Sequence, residues 1–137
     1  MELLTDVASG TNAMIRAAAL KFNLTTSQAF HLLSIPYDGI PMSGLAQKLG
    51  LDTSTLTRNI QKLEILGLLR RQKDNYDKRI HKIVLTRKGS SLVKSLEILL
   101  EEQNYDVLNN IDLDTQEHLI TVLEKLVWSI DCSREKL

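Results

Sequence analysis

Between Leu51 and Gly89 the chain reads LDTSTLTRNIQKLEILGLLRRQKDNYDKRIHKIVLTRKG, and this stretch constrains the fold more than any other. Asp52 is a good N-cap, and Leu56, Ile60, Leu63 and the Leu66-Gly67 pair mark one apolar stripe at helical spacing. Thr53, Ser54, Thr55, Arg58, Asn59 and Lys62 fall on the other side, a face with short hydroxyls, an amide and two cations but no carboxylate. Such a face suits a DNA major groove, where hydroxyls and amides bond base edges and phosphates while cations neutralise the backbone. Gly67 then ends the helix in a left-handed C′ conformation.

Two β-prone runs follow, residues 68–73 and 80–86, joined by the polar turn 74–79. In the second run Ile83 and Leu85 share a face, with His81 at the same parity. The hairpin tip carries Lys73, Lys78 and Arg79, placed where an arginine enters a neighbouring minor groove. Upstream, residues 42–49 form a short helix with Leu45, Ala46 and Leu49 inward, and Gly50 separates it from the cap at Asp52. Short helix, tight glycine turn, capped second helix and basic hairpin outline a winged helix-turn-helix.

The same residues resemble the MarR (multiple antibiotic resistance regulator) family of bacterial transcription factors. The match is carried by Leu45-Ala46-Gln47-Lys48-Leu49, by residues 52–69 with Thr57-Arg58 and Leu63-Glu64…Gly67-Leu68, by Asp77-Lys78-Arg79, and by Leu85-Thr86-Arg87-Lys88-Gly89. It covers residues 24–90 well and the flanks only by helical pattern. The resemblance implies a homodimer, with dimerisation through N- and C-terminal helices and two winged heads on double-stranded DNA. It places Arg79 in a minor groove, and Asp77 would orient it by a charge-assisted hydrogen bond. Thr53, Ser54, Thr55 and Arg58 are expected at bases or nearby phosphates, and Lys62, Lys73 and Lys78 at phosphates.

Charge is divided along the chain in the way this reading needs. Residues 52–88 hold ten cations and four anions, whereas residues 89–137 hold four cations and ten anions, so a neutral total hides a basic middle. A chain of 137 residues with 43% apolar content builds one domain with a real core, here mostly aliphatic because aromatics are only 4%. No apolar run approaches membrane-spanning length, and Met1 leads into Glu2 and Asp6 without a basic leader, so a cytoplasmic chain is expected.

The flanks read as helices. Residues 2–21 carry Leu3, Leu4, Val7, Met14, Ile15 and Ala18, weakened at Gly10, and Thr25 with Gln28 opens a helix ending near Pro36. Thr86 caps a long helix, residues 87–109, and Asp114 with Glu117 suggests a capping box for a last helix to residue 131. In that helix Leu119, Val122, Leu123, Leu126, Val127 and Ile130 are expected inward. The expected fold class is therefore mostly α with a small antiparallel β-hairpin wing. Within a single domain 1–137, residues 24–90 form the winged DNA-binding part, and residues 1–22 and 90–133 an α-helical dimerisation lobe.

Chemistry of other kinds finds little support. His31, His81 and His118 lie on separate elements without ligand spacing, and there is no phosphate loop, HExxH or nucleophile elbow, so neither an enzyme nor a metal or cofactor is expected. Cys132 excludes an intrachain disulfide and reads as an inert terminal thiol. The resemblance also implies a small aromatic or amphiphilic effector near Met14, Ala18, Phe30, His31 and Trp128, although each of these has a packing explanation. Repression relieved by such an effector is the expected function. A winged-helix protein-interaction module and a redox-controlled repressor acting through Cys132 stay open as alternatives.

Overall fold

In the computed structural model, which describes residues 2–74 and 79–134, the chain runs α1 (Glu2–Leu20), α2 (Thr26–Leu33), β1 (Ile40–Pro41), α3 (Met42–Leu49), α4 (Thr53–Ile65), β2 (Leu69–Lys73), β3 (His81–Leu85), α5 (Arg87–Leu108) and α6 (Leu113–Arg134). Local signals explain most of these boundaries. Thr25 Oγ1 accepts the Gln28 N–H at 3.2 Å while Gln28 Oε1 accepts the Thr25 N–H at 2.9 Å, the reciprocal box expected from the sequence. Gly50, with φ of 64°, closes α3, and the Leu51 N–H returns to the Ala46 carbonyl at 3.0 Å. Asp52 Oδ1 then accepts the N–H groups of Ser54 at 3.0 Å and Thr55 at 2.9 Å, opening α4.

The chain divides into two compact units, Met1–Leu100 and Glu101–Leu137. In the first, Ile15, Ala18 and Ala19 of α1, Leu32 of α2, Leu45 of α3, Leu56, Ile60 and Leu63 of α4, Ile83 of β3, and Val93 and Leu96 of α5 form one buried cluster. Leucines and isoleucines supply its volume, as the low aromatic content requires. Each side chain fully buried there contributes about 1.5–3 kcal/mol relative to exposure. Three stripe positions of α4 are thus anchored, so its opposite face has a fixed direction.

Among the described residues the sheet has three antiparallel strands in the order β1-β3-β2, so the wing is more than the expected hairpin. Leu69 pairs with Leu85 and Lys73 with His81, while Ile40 and Pro41 pair with Ile83 and Lys82. A two-residue strand carries no alternation that a sequence could reveal, and proline is tolerated at a sheet edge. Parity holds where the hairpin was legible: Ile83 is buried, Leu85 partly buried, and His81 exposed nearer the tip.

In the second unit the cap of α6 differs from expectation. Asp112, not Asp114, accepts the Thr115 N–H at 3.0 Å and its hydroxyl at 2.6 Å. The helix therefore begins earlier than the Asp114–Glu117 spacing suggested, and Asp114 sits in its first turn. Gln116 Nε2 donates to the carbonyls of Leu108 at 3.0 Å and Ile111 at 2.7 Å, stitching the turn that leads out of α5. The apolar row expected inward is largely exposed in the single chain: Leu119, Val122, Leu123, Val127 and Ile130 are open, and only Leu126 is half-buried.

Candidate nucleic-acid interface

Thr53, Ser54, Thr55, Arg58 and Lys62 are all exposed on α4, on the side away from buried Leu56, Ile60 and Leu63. The N-cap Asp52 is occupied, since Ser54 Oγ donates to its carboxylate at 2.5 Å in addition to the backbone bonds. Hydrogen bonds from Ser54 and Thr55 hold this carboxyl well below the usual carboxylate range. Thr57 is half-buried and donates its hydroxyl to the Thr53 carbonyl at 2.6 Å, so it is spent on the helix. Glu64 near the end of α4 is paired with Arg71 of β2 at 3.1 Å. The exposed face consequently presents hydroxyls and cations with little opposing charge.

Asn59 departs from the expected outward set. It is half-buried, and its Nδ2 lies 3.4 Å from Nε2 of buried His31 on α2. No helical periodicity signals this, because the partner lies 28 positions away. A second tie between elements joins Lys48 Nζ of α3 to the Ser34 carbonyl at 2.9 Å, fixing the short helix against the end of α2.

The end of α4 is fastened to the start of α5. Gly67 has φ of 71°, which suits the left-handed turn that releases the chain into β2. Thr86 Oγ1 donates to the Gly67 carbonyl at 2.6 Å, the Thr86 N–H donates to the Leu68 carbonyl at 3.0 Å, and Lys88 Nζ donates to the Leu66 carbonyl at 2.9 Å. Thr86 Oγ1 also accepts the Gly89 N–H at 3.1 Å, which caps α5 as expected. Gly89 approaches Leu68 so closely that an added Cβ would lie 2.0 Å from its carbonyl oxygen. These contacts give a physical role to the Leu85-Thr86-Arg87-Lys88-Gly89 run.

At the wing, Lys73 and Arg79 are exposed, at the end of β2 and in the turn before β3. Asp77 and Lys78 lie outside the described residues, and with them the expected Asp77–Arg79 bond. An unforeseen ion pair stiffens the base of the tip: Lys82 Nζ lies 2.7 Å from Asp74, and the Asp74 N–H donates to the Ile80 carbonyl at 2.8 Å. Arg70, exposed on β2, adds a cation that the sequence reading passed over although it lies in the same basic run.

A capped helix with a cationic hydroxyl face, set beside a basic three-stranded wing, defines a winged helix-turn-helix of the kind that binds duplex DNA. Residues 25–81 match the sequence profile described as MarR family. The match covers the segment that builds the head, from the start of α2 to the first residue of β3. Solved structures agree on the fold. The transcriptional regulator SlyA matches with a TM-score of 0.80 at 22% identity, covering 98% of each chain. MarR matches with a TM-score of 0.81 at 21% identity, covering 99% of this chain and 93% of that one. CouR from Rhodococcus jostii RHA1, bound to p-coumaroyl-CoA, matches with a TM-score of 0.78 at 21% identity, covering 94% and 89%.

Elsewhere, α1 and α2 enclose a groove of about 530 Å³ lined by Ala8, Thr11, Asn12, Ile15, Thr26, Ser27 and Phe30. Of the residues weighed for an effector, Phe30 lines it, whereas Met14, Ala18, His31 and Trp128 do not. Cys132 is free and half-buried. Among the described residues, no three His, Cys, Asp or Glu side chains converge as a metal site, and no helix is long and apolar enough to cross a membrane.

Proposed function

We infer that this chain is a sequence-specific transcriptional repressor that binds a pseudo-palindromic operator as a homodimer in the bacterial cytoplasm. The observation that carries the reading is the outer face of α4, where Thr53, Ser54, Thr55, Arg58 and Lys62 stand exposed, with Glu64 paired to Arg71 and Asp52 engaged by the Ser54 and Thr55 donors of the cap. The hydroxyls and Arg58 read base edges and adjacent phosphates, while Lys62, Lys73 and Lys78 supply sequence-independent attraction. Arg79 enters the flanking minor groove, with Asp77 orienting it. Two heads engage half-sites about one helical turn apart.

Dimerisation rests on the end helices. Leu3, Leu4 and Val7 of α1 and the Leu119–Ile130 row of α6 expose more aliphatic surface than a lone chain needs, and a second copy would bury it. Residues 24–90 then act as the head, and residues 1–22 and 90–133 as the dimerisation part. Release by a small aromatic or amphiphilic effector is supported by the uncharged groove between α1 and α2, with Phe30 in its wall. Binding there would favour a dimer whose heads are wrongly spaced for DNA, shifting an existing equilibrium.

The test is fluorescence anisotropy on labelled DNA from directly upstream of the gene, with wild type and Arg79→Ala at low and near-physiological salt. Tight binding that random DNA competes poorly, and that weakens in the variant, is expected. Binding indifferent to sequence and to Arg79 would turn the reading toward a protein-interaction module.

A further inference from the structure

His31 is buried on α2, with 3% of its surface exposed, and no role assigned above uses it. Its ring nitrogens determine more than packing. Nδ1 meets the backbone carbonyl of Ser27 one turn earlier and lies 3.3 Å from the Ser27 hydroxyl. A carbonyl only accepts hydrogen bonds, so Nδ1 carries the proton. In the neutral ring Nε2 is then an acceptor. The group facing it is the side-chain amide of Asn59, with Nδ2 at 3.4 Å. An acceptor selects the NH2 end of the amide, which leaves Oδ1 as the end turned away from His31.

Asn59 stands at the rim of the reading face. It follows Thr55 by four residues and precedes Lys62 by three, so the three share one row along α4. It is half-buried, and its Nδ2 end is the one that meets His31.

We propose that His31 is a positioning residue that fixes which end of the Asn59 amide faces DNA, making Asn59 a specificity-determining residue that presents an acceptor to the major groove. The inference rests on the DNA-binding reading of α4. An asparagine free to turn pairs with adenine through both ends, whereas a pinned carbonyl oxygen accepts only from an exocyclic amino group. Adenine N6 and cytosine N4 offer one there; guanine O6 and thymine O4 are acceptors and are rejected. At one position of each half-site the protein therefore selects adenine or cytosine on one strand.

The test is selection of sites from a randomised duplex library by wild type, His31→Phe and Asn59→Ala, together with ¹⁵N spectra of the His31 ring. In the wild-type ring, protonated Nδ1 and bare Nε2 are expected. Wild type should show an adenine-or-cytosine preference of about fivefold or more at one position. Both variants should lose it there while keeping the rest of the site. A protonated Nε2, or an unchanged selected site in both variants, overturns the proposal. Failure of wild type to enrich any sequence overturns the DNA-binding reading and the proposal with it, whereas enrichment of one site by all three proteins overturns the proposal alone. Should His31→Phe fail to fold, Asn59→Asp decides. A carboxylate only accepts, so it should draw a proton onto Nε2, and a ring spectrum unchanged from wild type overturns the contact.

Discussion

The Thr86 hydroxyl donates to the carbonyl of Gly67 at 2.6 Å, joining the first cap of α5 to the last turn after α4. One oxygen serves both ends, because it also accepts the Gly89 N–H at 3.1 Å. The end of α4 is thereby held to the start of α5. Thr86→Val keeps the shape and removes both bonds, so a loss of about 1–2 kcal/mol is expected in urea denaturation. An unchanged midpoint would show that the shared bond adds nothing.

Two glycines should respond in opposite directions. At Gly89 an added Cβ would lie 2.0 Å from the Leu68 carbonyl oxygen, a backbone atom with no freedom to move aside. Gly89→Ala should cost about 3 kcal/mol and lower the melting temperature by ~10 °C. At Gly10, within α1, a Cβ would meet nothing within 4 Å. Gly10→Ala should therefore stabilise by about 0.5–1 kcal/mol, as in any exposed helix interior. Thermal melts that move both variants the same way would refute the assigned contact.

The Asp52 cap predicts a pH dependence. Hydrogen bonds to Ser54 and Thr55 lower its folded-state pKa, so the ionised form stabilises the native state. That contribution is fully present above the unfolded value of about 4 and is lost as the pH falls below it toward the folded value. Asparagine caps equally well but does not titrate there. Between about pH 5 and pH 2, wild type should lose stability relative to Asp52→Asn, while the similarly bonded Asp112 cancels between them. A constant difference across a pH series of urea midpoints would contradict this.

Salt dependence separates phosphate contacts from base contacts. Lys62→Gln should weaken binding to all sequences alike and reduce the slope of log affinity against log salt by about one. Arg58→Ala should instead relax the preference at a base position, with anisotropy titrations reading both. A slope unaltered in Lys62→Gln would remove that residue from the DNA contact set.

The exposed row on α6 predicts the oligomeric state. Leu123 is 43% exposed and Val127 58% exposed in the single chain, on a helix rich in aliphatic residues. Leu123→Glu would place a charge in the interface between two copies and should convert a dimer to a monomer in sedimentation velocity. A monomeric wild type would sink the dimer outright.

Much of the head is legible in the sequence. Asp52, Gly50, Gly67 and the Thr25–Gln28 pair act through the backbone of their own neighbourhood, so spacing alone located α2, α3 and α4 within a residue or two. The apolar stripe of α4 likewise determined its outward residues apart from Asn59, because a helical period leaves only one face to solvent. What the sequence could not yield were contacts between distant segments. β1 exists only because β3 lies beside it, Asp74 and Lys82 meet only across the wing, and the Asn59 amide meets His31 only because folding brings α2 to α4. The stripe on α6 looked like core because amphipathicity specifies a buried face without specifying what buries it; only tertiary packing decides whether the chain itself or another surface does so.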